Sequence, residues 1–145
     1  MGHLSFGLLL NFAWEILQAP LYAGMAGLPH AQVTKACLQA TLCDMVIMLL
    51  AYGAVAVFAR RRRWVVAASG WLAWFVAIGV SITAAIEWLA TRGHWVGSWN
   101  YLPPMPLLPG TGIGLAPLLQ WVLLPLLTVW FTRRQLASAQ DTAAL

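Results

Sequence analysis

The chain of 145 residues is 61% hydrophobic and only 8% charged, whereas soluble domains contain about 25% charged residues. This composition excludes a soluble domain and predicts an integral membrane protein with little mass outside the bilayer. The formal net charge of +4 does not indicate nucleic-acid binding, because most basic residues flank apolar stretches and therefore reflect membrane topology.

Four apolar stretches are each long enough to cross a bilayer, which takes about 20 helical residues. They cover residues 4–22, 36–59, 64–89 and 112–131. The sequence therefore predicts an all-α membrane protein in which residues 1–134 form a single bundle of four transmembrane helices. Residues 135–145 are expected to form a short, loosely ordered polar tail. The first stretch is expected to remain in the protein, because no basic residue precedes it and Glu15 interrupts it.

Basic residues are distributed unequally between the two sides of these predicted spans. The arginines at 60–63, Arg133 and Arg134 fall on one side, whereas only Lys35 and Arg92 fall on the other. The positive-inside rule then predicts that both termini and the arginine turn are cytoplasmic. We expect a multi-pass protein of a bacterial-type inner membrane.

The first predicted helix carries a polar stripe. Asn11, Glu15, Gln18 and Tyr22 recur at helical spacing inside an otherwise apolar stretch, which places them on one face of a helix. A charged side chain at bilayer depth costs at least about 2.5–3.5 kcal/mol and seldom faces lipid. The stripe is therefore predicted to face neighbouring helices.

The third predicted helix contains Gly70 and Gly79, small positions at which a neighbouring helix could approach closely. The loop that follows is rich in tryptophan and tyrosine, and its proline-rich continuation at 103–109 cannot be helical. We expect this loop to form a structured cap on the outer surface. The fourth predicted helix contributes Gln120.

Polar groups from all four predicted helices fall in the outer half of the bilayer. Counting about 1.5 Å per residue from the outer helix ends, Glu15, Asp44 and Gln120 lie about 10–12 Å deep, and Glu87 lies close to the surface. We therefore predict one buried polar cluster that opens toward the non-cytoplasmic side.

A purely structural role fits the buried amides and hydroxyls better than the buried acids. Amides and hydroxyls hold membrane helices together at about 0.6 kcal/mol each, and we favour this role for Gln18, Thr83 and Gln120. An acid provides the same contacts only at a high cost of burial, which favours function for Glu15 and Asp44. Burial disfavours the charged form of a carboxyl group, so at least one of the two is expected to be protonated near neutral pH.

The sequence predicts no bound metal and no cofactor. His3, His30 and His94 show no paired helical spacing. Three carboxylates without a histidine suit a hard cation better than zinc or copper.

The Asn11-x-x-Trp14-Glu15 element on the first predicted helix resembles the Asn-x-x-Trp-Glu element of the integral-membrane terpene cyclases of fungal meroterpenoid pathways. In that family the Glu, together with a distant Asp, is held to supply acid for cyclising an isoprenoid epoxide. The resemblance implies that Glu15 takes the place of the Glu, with Asp44 as the candidate for the Asp.

The region from Glu87 through Trp99 and Tyr101 is similar to membrane carotenoid hydratases and lycopene cyclases. Together the two resemblances imply a membrane-embedded enzyme or binding protein for an isoprenoid-like lipid. Its chemistry would be protonation followed by cyclisation or hydration, carried out by carboxylic acids in the outer half of the bilayer.

The candidate site is built around Glu15 as general acid, because it lies midway along the polar stripe beside Trp14, whose ring would stabilise a carbocation. Asp44 is expected to set the acidity of Glu15, and Glu87 with Arg92 is expected to form an outer rim under the cap. The candidate catalytic residues are Glu15, Asp44 and Glu87, and the candidate substrate-binding residues are Asn11, Trp14, Gln18, Trp88, Arg92, Trp99, Tyr101 and Gln120.

The same cluster also suits a small proton-coupled transporter or channel, or a non-catalytic accessory subunit of a larger membrane complex. A hydrophobic ligand in a closed pocket would favour the enzyme, whereas a continuous polar path to the cytoplasm would favour the transporter. The expected partner is a membrane lipid or isoprenoid-like ligand and not a nucleic acid, with a homo-oligomer or a larger complex left open.

Overall fold

The computed structural model describes residues 2–62, 64–66, 70–94 and 97–143. Within these residues the chain folds into four long helices and three short 3₁₀ helices, with no β-strand. The long helices are α1 (Gly2–Gln18), α2 (His30–Phe58), α3 (Trp71–Ala90) and α4 (Leu115–Ala143). Among these, α2, α3 and α4 are long and apolar enough to cross a membrane. The predicted all-α fold with four helices is confirmed.

The helix boundaries near the loops differ from the prediction. Helix α1 ends at Gln18 instead of residue 22, because Pro20 lacks a backbone N–H and the chain turns into the 3₁₀ helix Ala19–Leu21. Helix α2 begins six residues earlier than the predicted residue 36, directly after Pro29. Its first residues are polar but compatible with a helix, so a criterion based on apolar runs overlooks them.

The boundaries at the arginine end also differ. Helix α3 begins at Trp71, not at residue 64, because Trp64–Val66 forms a separate 3₁₀ helix. Helix α4 begins at Leu115 and continues to Ala143, so the expectation of a loosely ordered tail at 135–145 is wrong as far as residue 143. The tail is polar but rich in residues that favour helices, such as Ala, Gln and Leu.

The four helices form a closed ring in which α1 and α3 each pack against both α2 and α4. Neighbouring helices run antiparallel. Phe6 of α1 stacks on Phe131 of α4 with ring centroids 5.1 Å apart, and the thiol of Cys37 lies 3.5 Å from the carbonyl oxygen of Glu15. The loops at 19–29 and 91–114 therefore lie at one end of the bundle, and the α2–α3 turn lies at the other.

The α2–α3 turn begins with a Schellman motif that ends α2. Arg61 N–H donates to Ala56 C=O and Arg60 N–H donates to Val57 C=O, both at 3.1 Å, while Arg60 has a left-handed φ of 51°. The exposed arginines of this turn thus lie at the same end of the bundle as Arg133, whose guanidinium donates to the carbonyl of Val65 at 2.7 Å. Arg63, the fourth arginine of the predicted turn, lies outside the described residues.

Helices α3 and α4 meet closely at Gly79. A Cβ atom at this position would overlap the indole ring of Trp121, which is only 2% exposed. The prediction of a close approach is therefore confirmed for Gly79. It is wrong for Gly70, where a Cβ atom would have no neighbour within 4 Å, because Gly70 precedes α3 on the surface.

We expect Gly79→Ala to lower the free energy of unfolding by about 1–3 kcal/mol, because the added methyl group forces the buried Trp121 ring to shift. Gly70→Ala is the matched control and should change stability little. Thermal unfolding in detergent, followed by near-UV circular dichroism, measures both. An unchanged midpoint for Gly79→Ala would contradict the close contact between α3 and α4.

Candidate functional site

The side-chain amide of Gln120 joins three helices in the middle of the bundle. Its Nε2 donates to Asn11 Oδ1 at 2.9 Å, to Glu15 Oε1 at 3.2 Å and to Asp44 Oδ2 at 2.7 Å. Gln120 lies on α4 and is 2% exposed, whereas its acceptors lie on α1 and α2. The predicted convergence of these polar residues is confirmed.

The other amides on α1 hold this arrangement in place. Gln18 Nε2 donates to Glu15 Oε1 at 2.8 Å and to Gln120 Oε1 at 3.3 Å, while Gln18 Oε1 accepts from the indole of Trp14 at 3.2 Å. Asn11 Nδ2 donates to the carbonyl of Gly7 at 2.7 Å. Glu15 Oε1 thus receives two amide donors, which fixes the orientation of its carboxyl group.

The carboxyl groups of Glu15 and Asp44 lie beside each other, because Glu15 Oε1 and Asp44 Oδ2 accept from the same Gln120 Nε2, at 3.2 and 2.7 Å. Two carboxylates cannot hydrogen-bond directly to each other, because both are acceptors only. Neither group forms an ion pair within the described part of the chain. We therefore expect the two acids to share a proton, as when like charges are forced together away from water.

Glu87 forms a second, separate acidic centre on α3. It is 3% exposed and accepts a hydrogen bond from the hydroxyl of Tyr101, which in turn accepts from the indole of Trp99 at 3.2 Å. Burial and the neighbouring carboxylate raise the pKa of Tyr101, so its phenol stays protonated and remains a donor.

The loops around Tyr101 form a cap at this end of the bundle. Ala23 N–H donates to Asn100 C=O and Leu102 N–H donates to Leu21 C=O, both at 2.9 Å, so Tyr22 and Tyr101 form an antiparallel bridge. Their rings lie 5.1 Å apart. The predicted structured cap is present in the described part of the loop, whereas Trp95, which the sequence also assigns to it, lies outside the described residues.

A cavity of about 470 Å³ lies between the four helices and the cap. Glu15, Asp44 and Glu87 all line it, and its apolar walls include Ala40 of α2 and Ile86 of α3. Its volume falls within the range of about 300–1,000 Å³ that is usual for small-molecule sites. The lining residues that the structure describes include no Lys, Arg or His.

Most of the predicted site residues lie in or next to this cavity. Gln18, Trp99 and Gln120 line it together with the three acids. Asn11 and Tyr101 lie one hydrogen bond behind the lining residues, because they contact Gln120 and Glu87 respectively.

Trp14, Trp88 and Arg92 do not line the cavity. The Arg92 guanidinium lies 4.4 Å from the ring centre of Trp88, which is 45% exposed, so the predicted rim of Glu87 and Arg92 is wrong. The reason is geometric: Trp88 directly follows Glu87, and one residue turns a helix by about 100°. Trp14 directly precedes Glu15, so it is likewise turned by about 100° away from the helix face that carries Glu15.

Sequence analysis did not assign several lining residues to the site. They are Tyr22, Cys37, Thr83 and Trp121, among others. A signal was present for two of them, because Thr83 precedes Glu87 by four residues and Cys37 precedes Asp44 by seven, spacings that share a helix face. Nothing in the sequence indicates that Trp121 faces the cavity.

No protein-family model, characterised protein or solved structure matches the chain. The site is therefore interpreted from its own chemistry. Within the described residues, no group of three or more His, Cys, Asp or Glu side chains is arranged to hold a metal ion. What the cavity does provide is a pair of adjacent carboxyl groups beside an apolar space, the arrangement from which a general acid works when one of them holds a proton.

We expect the infrared spectrum at neutral pH to contain a protonated carboxyl band from the Glu15–Asp44 pair. Either Glu15→Gln or Asp44→Asn should remove the band, because the new amide donates to the remaining carboxylate and replaces the shared proton. Glu87→Gln is the control and should retain this band, since Glu87 is bound to Tyr101 and is not part of the pair held by Gln120. Two fully ionised groups in the unmodified protein, with no bound cation, would contradict a shared proton.

Proposed function

We propose that this protein is a membrane-embedded enzyme that binds an isoprenoid-like lipid in the cavity and protonates it with the Glu15–Asp44 pair. The observation that carries the proposal is a pair of adjacent acids, held by the same Gln120 amide, at the wall of an apolar cavity. Apolar walls favour a hydrocarbon chain, and a retained proton supplies the acid that an alkene or a similar weak base requires.

Glu15 is the proton donor in this proposal, and Asp44 is its partner. Glu15 Oε1 is occupied by the amides of Gln18 and Gln120, which leaves Oε2 to carry the proton. Asp44 retains the opposing carboxylate, held by Gln120 at 2.7 Å. Loss of the proton to substrate then leaves a charge that the surrounding amide donors stabilise.

Aromatic side chains that line the cavity support a cationic intermediate. Tyr22, Trp99 and Trp121 belong to the lining, and their ring faces attract a cation through their quadrupoles. In this role they replace Trp14, which the sequence alone favours but which lies off the cavity. Glu87 lies on the same cavity and is held by Tyr101 of the cap, so in this proposal it orients the ligand.

The interior of the bundle favours an enzyme over a proton-coupled transporter. Toward the arginine end, the described hydrophobic core contains Met48, Val55, Phe75 and Val129, and the buried polar side chains beyond Asn11 are the threonines Thr128 and Thr132 on α4. A transporter requires a continuous polar route through this region, which two hydroxyls on one helix do not provide.

We also propose that all four helices cross a plasma membrane of the bacterial type, with both termini in the cytoplasm. Helix α1 has 17 residues. Its packing against both α2 and α4 supports a position in the same membrane as these two helices. The exposed arginines of the α2–α3 turn supply the cytoplasmic charge. The cavity then opens within the outer half of the bilayer, where a dissolved lipid can reach it.

Single cysteines test this topology. In a background with Cys37→Ala and Cys43→Ala, a membrane-impermeant maleimide should label His30→Cys from outside the cell. It should label Arg62→Cys only after the membrane is opened, because the two positions lie at opposite ends of the bundle. Labelling of both positions from the same side would rule out four spans.

Lipid extraction from the purified protein, followed by mass spectrometry, tests the function. An isoprenoid-like lipid should accompany the unmodified protein and be lost from Ala40→Phe, which fills the cavity. It should be retained by Ala85→Phe, because Ala85 is exposed on the opposite face of α3. Conversion of the extracted lipid should fall by about 10²–10⁴ in Glu15→Gln, the usual contribution of a general acid, and much less in Glu87→Gln.

The fold is the necessary control for Glu15→Gln. Glutamine keeps an oxygen for the Gln18 and Gln120 donors, so the variant should bind lipid and unfold at nearly the same temperature as the unmodified protein. If it instead unfolds the bundle while activity per folded molecule is unchanged, Glu15 is a structural residue and the proposal fails.

A further inference from the structure

Two buried polar groups on the cavity wall have no hydrogen-bond partner. They are the indole N–H of Trp121 on α4 and the hydroxyl of Thr83 on α3. Their side chains are 2% and 7% exposed, and both residues line the cavity. Most buried polar groups in native proteins are satisfied, so each exception calls for a partner that arrives with a ligand or a water.

The direction of the Trp121 N–H is fixed by packing. The ring lies against Gly79, where no side chain intervenes, so the indole cannot rotate without leaving α3. The Asp44 carboxyl lies near this indole but its Oδ2 is bound to Gln120 at 2.7 Å, and the indole N–H makes no hydrogen bond. The donor therefore stays available beside the acid pair.

The chemistry of these groups restricts what can bind to them. An indole N–H is a donor only, whereas a hydroxyl both donates and accepts, so the common partner must be an acceptor such as oxygen. Three acids line the cavity, and no cationic side chain is found among its described lining residues. A diphosphate or carboxylate head group would meet like charge without a counterion, which disfavours it.

We propose that Trp121 and Thr83 form a binding site for an uncharged oxygen of the ligand, so that the substrate class is a neutral oxygenated isoprenoid lipid such as an alcohol, ether or ketone. This inference rests on the proposed function, because it assigns a ligand to the same cavity. It places the oxygen beside the Glu15–Asp44 pair, with the hydrocarbon chain along the apolar walls. A pure hydrocarbon would leave both groups unsatisfied.

Three probes of equal chain length test the inference on the full chain in nanodiscs: farnesol, farnesene and farnesyl diphosphate. Equilibrium dialysis should show that the unmodified protein binds farnesol about tenfold more tightly than farnesene, the usual scale for satisfying a buried donor. Farnesyl diphosphate should bind more weakly than farnesol. Ala40→Phe should abolish the binding of all three.

The preference for farnesol should depend on the two wall residues. Thr83→Val and Trp121→Phe should each bring the farnesol-to-farnesene ratio toward one, while farnesene binding changes little. Thr128→Val and Trp64→Phe are the matched controls. Thr128 is a buried hydroxyl without a partner and Trp64 is a buried indole, and neither lines the cavity. Thr83→Val is nearly isosteric, so the test remains valid if Trp121→Phe does not fold.

The outcomes separate this inference from the function on which it rests. If farnesol and farnesene bind equally and Ala40→Phe abolishes the binding of both, the proposed oxygen-binding site is wrong. The proposal that the cavity binds a lipid would still hold. Tightest binding of farnesyl diphosphate would also overturn the proposed oxygen-binding site. Binding of none of the probes would overturn both proposals. A farnesol preference that survives Thr83→Val and Trp121→Phe would show that these two residues do not bind the oxygen and would also overturn this inference.

Discussion

The amide of Gln120 is the constraint on which the rest of the structure depends. Its NH₂ group has two hydrogens, yet it faces three acceptors, on Asn11, Glu15 and Asp44. An unsatisfied polar group is costly away from water, and a protonated carboxyl group can supply the missing hydrogen because it is a donor. The proton that we expect the two acids to share would thus follow from the number of donors that the bundle provides.

The two acidic centres on the cavity differ because their donors differ. The Glu15–Asp44 pair is surrounded by amides, and Gln120 donates to both acids. Glu87 accepts instead from the phenol of Tyr101. The cavity therefore presents a coupled pair of acids at one place and a single acid bound to the cap at another. The cap, which holds Tyr101 in place through its bridge with Tyr22, maintains this difference.

The sequence predicts the fold class and the convergence of polar residues because both depend on simple periodicities. The spacing of Asn11, Glu15 and Gln18 defines one helix face, and counting residues from the helix ends places Gln120 at the same depth. It does not predict which neighbours of those residues also face inward. Trp88 and Arg92 are adjacent to the site in sequence but turned away from it by the helix, and partners for an acid cannot be assigned from proximity along the chain. Hydropathy also does not predict those helix ends that are determined by tertiary contacts.

The closed ring of helices also has a consequence for biosynthesis, because its first helix is completed by its last. While the chain is being made, α1 and α2 leave the ribosome before α4, since synthesis proceeds from the N-terminus. At that stage Glu15 and Asp44 lack the Gln120 amide. A chain that stalls before α4 therefore exposes polar groups that the four-helix bundle buries. These exposed groups are a physical mark by which a chain without α4 differs from the folded bundle.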